Sequence, residues 1–255
     1  MIRLMAKRKY KTPAVREAIF EAKFNYDSFD SAVPGQIFER IKENYPDKED
    51  IKHELVFFER DRTNPPTTTP LIQAPLMRAR RKDNSELLQF GPGIALANRF
   101  KYSTWDEFVP TIETIVKAYI DSAHPQTITR VGMRYVNSFL TPEETIIPDY
   151  FKVDIQLPDN LKNLDGFNLI LTNSIEANEN QESTFQARTR FLTDALRPEE
   201  KGNRFILDID CYVSLNRTPD IEHIISLATQ AHYILGDIFE NLITDKTRAL
   251  MEIEK

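Results

Sequence analysis

The sequence predicts an α+β fold: a large antiparallel sheet with long helices packed on one face. Three observations predict it. Several segments alternate apolar and polar residues with a period of two, beginning at 14–24, where Ala18, Phe20, Ala22 and Phe24 interleave with Glu17, Ile19, Glu21 and Lys23. Two long segments, opening near Thr104 and Thr218, carry apolar stripes at helical spacing instead. The order β-α-β-β-β-α then reads twice, across 14–123 and 126–243, which points to a duplicated unit. Two antiparallel sheets, or one continuous sheet, would carry their helices on one side and leave the other for water or a partner.

After the strand at 14–24, Pro34-Gly35 opens a short helix to about residue 44, with Ile37 and Ile41 on one face and Tyr45-Pro46 ending it. A second strand is expected at 53–60. The Pro-rich stretch 64–70 cannot hold a regular ladder and reads as a loop. Segments 76–82 and 85–90 form a hairpin about Asp83-Asn84, closed by Gly91-Pro92-Gly93. The helix that follows starts at Thr104, where Thr104 and Glu107 have capping-box spacing. Trp105, Phe108, Val109, Ile112, Val116 and Tyr119 form its stripe; Pro110 predicts a kink or a later start, and His124-Pro125 stops it.

Residues 126–139 read as a long strand, with Val131, Met133 and Tyr135 on one face and Arg130, Gly132 and Arg134 on the other. Further strands are expected at 150–157, 167–176, 183–195 and 204–215, with a helical turn at 158–164. Thr218-Pro219-Asp220 starts the last long helix with a hydroxyl cap, an early proline and a carboxylate, and a short helical run follows at 245–252. The chain divides into a basic flexible tail (1–13), an N-terminal half (14–125) and a C-terminal half of the same pattern (126–255), packed as one globular unit.

Composition excludes more than it identifies. There are 7 glycines in 255 residues, and no three are close enough to cradle a phosphate. The single cysteine, Cys211, can form no internal disulfide, which fits a reducing compartment. The four histidines lie at no metal-ligand spacing. No apolar run is long enough to span a bilayer, and the basic N-terminus lacks the apolar core of a signal peptide, so the expected location is the cytoplasm and no membrane partner is expected. A net charge of −6 argues mildly against nucleic acid.

Candidate site residues come from strand parity. Arg78 and Arg80 share a face, as do Arg130 and Arg134, and Arg188 and Arg190. Guanidinium rows on an open sheet can grip phosphate or a carboxylate-rich peptide. The alternative is cross-strand pairing with Asp208, Asp210, Glu86 or Glu176. Asp208 and Asp210 also share a face and could hold Mg²⁺ with a third ligand, although alternation alone predicts a polar outer face there. Glu21-Ala22-Lys23 carries the acid-x-lysine pattern of some metal-dependent nucleases without the upstream acidic ligand those sites need. Gly132, mid-strand between Arg130 and Arg134, marks a bulge or a close approach by a neighbour.

Pro13-Ala14-Val15-Arg16-Glu17-Ala18-Ile19, Thr104-Trp105-Asp106-Glu107-Phe108, Arg130-Val131-Gly132-Met133-Arg134-Tyr135-Val136-Asn137 and Leu207-Asp208-Ile209-Asp210 carry a likeness. Together they resemble a sporadically distributed prokaryotic family of uncharacterised proteins of about this length. The resemblance implies a stand-alone prokaryotic cytoplasmic protein, and the sporadic distribution associates it with mobile or defence genes; it transfers no catalytic residue. The expected function is therefore a non-enzymatic protein-binding or adaptor protein of a defence or toxin-regulating system. Its partner would be another protein encoded in the same operon, or a second copy meeting an exposed strand edge. No cofactor is expected. Two alternatives remain: a nucleic-acid-binding module using the arginine face, and a metal-dependent phosphodiesterase or nuclease built on Asp208 and Asp210.

Overall fold

The computed structural model describes residues 10–26, 28–51, 75–153, 166–176 and 184–252. In chain order its elements are β1 (Val15–Asn25), α1 (Val33–Ile41), β2 (Asp47–Asp50), β3 (Met77–Arg80), β4 (Glu86–Gly91), β5 (Ile94–Arg99), α2 (Trp105–Ala123), β6 (Thr127–Thr141), α3 (Ile147–Tyr150), β7 (Asn168–Glu176), β8 (Thr184–Asp194), β9 (Asn203–Arg217), α4 (Ile221–Leu242) and α5 (Asp245–Leu250).

Among the described residues nine strands join one antiparallel sheet in the order β2-β3-β4-β5-β1-β6-β9-β8-β7. The sheet is continuous because the first strands of the two halves, β1 and β6, pair with each other at its centre. Outward from that seam the order is β1-β5-β4-β3-β2 on one side and β6-β9-β8-β7 on the other. At about 4.8 Å between strands, nine strands span about 38 Å.

One face is dry. Ala18, Phe20, Ala22 and Phe24 of β1 stand in register with Ala95 and Ala97 of β5 and with Val131, Met133 and Tyr135 of β6; those in turn meet Ile209, Cys211 and Val213 of β9. The helices α1, α2 and α4 close over this layer. Small alanines on β1 and β5 let α2 sit close, and its Phe108, Ile112, Ile115 and Tyr119 are fully buried there. Phe24 stacks on Tyr119 at 4.7 Å, and the Tyr119 hydroxyl donates to the Gly91 carbonyl at 3.0 Å. Among the described residues no helix is long and apolar enough to cross a membrane.

Several expectations need correction. Ile94–Arg99, to which the sequence assigned no element, is a strand, because Gly91-Pro92-Gly93 turns the chain into a hairpin with β4 as well as closing it. A short strand at Asp47–Asp50 pairs with β3; the strand expected at 53–60, the Pro-rich loop and the helical turn at 158–164 lie outside the described residues, as do the first nine residues of the tail. Where a strand was expected from 150, the chain makes the helical turn Ile147–Tyr150 and then a single bridge from Phe151 to Ile243. The Thr104 hydroxyl accepts from the Glu107 amide at 3.3 Å, but the Glu107 carboxylate turns to Ser103 and Arg99 and completes no capping box. The helix starts at Trp105 despite Pro110, whose missing N–H and steric conflict fall on the carbonyl of the exposed Asp106. Asp220, not Thr218, caps α4 by accepting from the His223 amide. His124 ends α2 in the left-handed conformation, at φ 44°.

Candidate functional site

The other face of the sheet, bare of helices among the described residues, is built by the alternate residues of the same strands. Reading across the ladder, one row runs Leu96, Glu21, Gly132, Tyr212, Gln186, Ser174, from β5 to β7. The next row runs Asn98, Ile19, Arg134, Asp210, Arg188, Thr172. A third carries Glu17, Val136, Asp208, Arg190 and Ile170. Directly opposed residues on an antiparallel ladder point to the same side, so strand order alone assembles a charged patch from four strands.

Its centre is two acid–arginine nodes. Arg134 donates from Nε and Nη2 to the two oxygens of Asp208 at 2.7 Å each, the strong two-pronged arrangement. Arg190 approaches Asp208 from the other side at 4.0 Å. Covered by these stems, Asp208 is only 5% exposed. The hydrogen bond to Asp208, ahead of the opposing desolvation, holds the Arg134 guanidinium above its ordinary pKa.

The second node is Arg130. Its Nη2 donates to Asp210 at 3.3 Å, and its Nε lies 2.8 Å from Glu21 Oε1. That second contact is electrostatic only, since neither atom has an aligned hydrogen bond. The guanidinium also sits 3.7 Å from the centre of the Tyr212 ring, a cation–π contact. Gly132 lies beside this contact: a β-carbon there would crowd the Tyr212 β-carbon at 3.1 Å and would lie at ordinary contact distance, 3.7 Å, from Arg130 Nε. Lys23 lies 3.9 Å from Glu21 at the rim. Burial raises the Asp210 carboxyl above the ordinary carboxylate range; Arg130 opposes the shift and Glu21 adds to it.

The structure thus gathers Arg130, Arg134, Arg188 and Arg190 into one patch. Arg188 is exposed and makes no ion pair among the described residues, although it stands opposite Asp210. Arg78 and Arg80 lie on the same face but four strands away from β6, about 19 Å. Arg78 is clamped by Glu49 at 2.8 and 2.6 Å, which holds Glu49 below the usual carboxylate range.

Of the acids expected to pair on this face, Glu86 is instead on the helix side. It is 1% exposed and accepts from Tyr45 (2.5 Å), Arg81 (3.0 Å), Arg99 (2.9 Å) and Thr111 (2.9 Å), tying β4 and β5 to α2 and to the segment that follows α1. Burial, with the Glu86 carboxylate beside it, pushes the Tyr45 phenol far up. The carboxylates of Asp208 and Asp210 are occupied by arginines, and among the described residues no group of three His, Cys, Asp or Glu is placed to hold a metal.

Sequence reasoning missed a cluster under the helices. The Tyr135 hydroxyl lies 2.7 Å from His232 Nδ1 and 3.0 Å from the Tyr102 hydroxyl, while Trp105 stacks on His232 at 4.8 Å. Burial pushes Tyr102 up to about 12 and Tyr135 well above its ordinary value, so both hydroxyls stay protonated. Residues nearly a hundred positions apart make this cluster, and no local signal announces it. No family model matches the chain, and a search of curated proteins finds no match either.

Proposed function

We propose that this is a non-enzymatic binding or adaptor protein that holds another protein against the bare face of its sheet. The observation that carries this is one-sidedness. Among the described residues, helices cover one face of a nine-stranded sheet, and the other presents interleaved acids and arginines with a wide apolar and polar surround. Catalysis by carboxylates needs one held ready for a proton or a metal. Here Asp208, Asp210 and Glu21 each lie against arginine. A nucleic acid fits this surface less well, because Glu21, Asp208 and Asp210 stand between the cations and break the positive field a phosphate backbone follows.

We also propose that the two halves are copies of one β-α-β-β-β-α unit. Support comes from strand order: in each half the first strand pairs with the last and two more continue outward, β4 and β3 on one side and β8 and β7 on the other, with β2 an additional edge strand of the N-terminal half.

Purification of the tagged protein from its native host tests the function. A protein should co-purify in fixed ratio and survive nuclease treatment. Recovery of the chain alone, or with nuclease-sensitive nucleic acid only, contradicts the proposal.

A further inference from the structure

We infer that the outer edge of β7 is the docking strand for an extended, acidic segment of the partner, and that Arg188 and Arg190 read its carboxylates; this rests on the protein-binding function proposed above.

The two ends of the sheet are unlike. At one end β2 is four residues long and wholly charged (Asp47, Lys48, Glu49, Asp50), the composition that discourages strand addition. At the other, β7 is nine residues long, and its only charge is the terminal Glu176. Among the described residues no strand pairs with its outer edge. Ile170 and Leu171 are 46% and 48% exposed. An edge this long and uncharged offers its backbone amides and carbonyls to an incoming strand.

Side chains define what that strand carries. On the bare face β7 presents Ile170, Thr172 and Ser174, all short or neutral, with Arg190 behind Ile170 and Arg188 behind Thr172. Arg188 makes no ion pair among the described residues, and the Nε of Arg190 is buried without a hydrogen-bond partner. A strand added outside β7 lies two spacings from β8, about 10 Å. An arginine and a glutamate reaching over Thr172 from opposite sides span that gap. On the helix side, Leu169 and Leu171 edge an apolar recess with Val153, Phe191 and Leu242. The segment that fits therefore alternates acidic residues toward Arg188 and Arg190 with apolar residues toward the recess. A second copy fits less well. Antiparallel pairing of two β7 strands about Thr172 brings no carboxylate opposite residues 170, 172 or 174, and its one acid, Glu176, falls at the strand's end.

The test uses the full chain and fluorescein-labelled peptides of about nine residues, a strand's length, alternating Val with Glu, Lys or Gln. The Val/Glu peptide should bind at least about tenfold more tightly than Val/Lys, a difference set by one well-placed charge pair, and should slow amide exchange in 168–176. Arg188→Gln should erase the preference and Arg188→Glu should invert it, with melting temperatures close to wild type because Arg188 is exposed. Equal binding of all three peptides, or binding that leaves 168–176 exchanging as before, overturns the inference. So does a concentration-dependent dimer that protects β7 without peptide. If the native partner still co-purifies with Arg188→Glu, this edge assignment fails while the binding function stands; if wild type co-purifies with no protein, the function itself fails.

Discussion

Arg130 shows how much one residue depends on its neighbours' identities. It reaches Asp210, Glu21 and the Tyr212 ring at once, beside a glycine at 132 where a β-carbon would crowd Tyr212. The same crowding takes water from Asp210, and burial raises its carboxyl. The unfolded chain releases that proton in the ordinary range, from about pH 4, while the folded chain still holds it. Unfolding free energy from this group therefore falls as pH rises through the window between the two values, and the loss is complete above the folded one. Asp210→Asn removes the titration. The stability advantage of wild type over Asp210→Asn should shrink as pH rises across the acidic range, measured by urea unfolding at several pH values; an advantage that grows with pH contradicts this origin. Asp208 and Asp210 were legible as neighbours on one face, because strand parity is local. Their partners were not, because parity says nothing about which strand lies alongside.

At the scale of elements, strong period-two and helical patterns placed β1, β6, β9, α2 and α4 within a few residues. The failures share a cause. β5 reads Ile-Ala-Leu-Ala-Asn-Arg, and alanine is a weak strand signal; burial against α2, not propensity, makes it a strand. Glu86 has the inward parity of Leu88 and Phe90, yet its charge argued for the surface until four donors from other elements overrode it. The turn into β9 has its own requirement. Gly202 has φ 114°, and a β-carbon there would fall 2.0 Å from the Thr141 carbonyl oxygen. Gly202→Ala should lose at least about 2 kcal/mol, seen as a lower denaturation midpoint with an unchanged slope; a midpoint equal to wild type would show that the turn is adjustable. If the halves are copies, an experimental structure should superpose them strand for strand, with β1 on β6 and β5 on β9.

Across the whole molecule, the fold class was readable because it depends on counting faces: helices with one apolar stripe and strands with one apolar side need a two-layer arrangement. The proposed function rests on what that arrangement leaves uncovered among the described residues. Among the described residues, a sheet paired at its centre and dressed on one side gives a broad, charged platform, guarded by charge at β2 and unpaired at β7. Hydroxyl-radical footprinting of the protein with its co-purified partner measures this most directly. Tyr212 and Leu96 on the bare face should become protected while Tyr233 and Ile238 on α4 react as before. Protection confined to α4, with Tyr212 and Leu96 unchanged, would contradict the account.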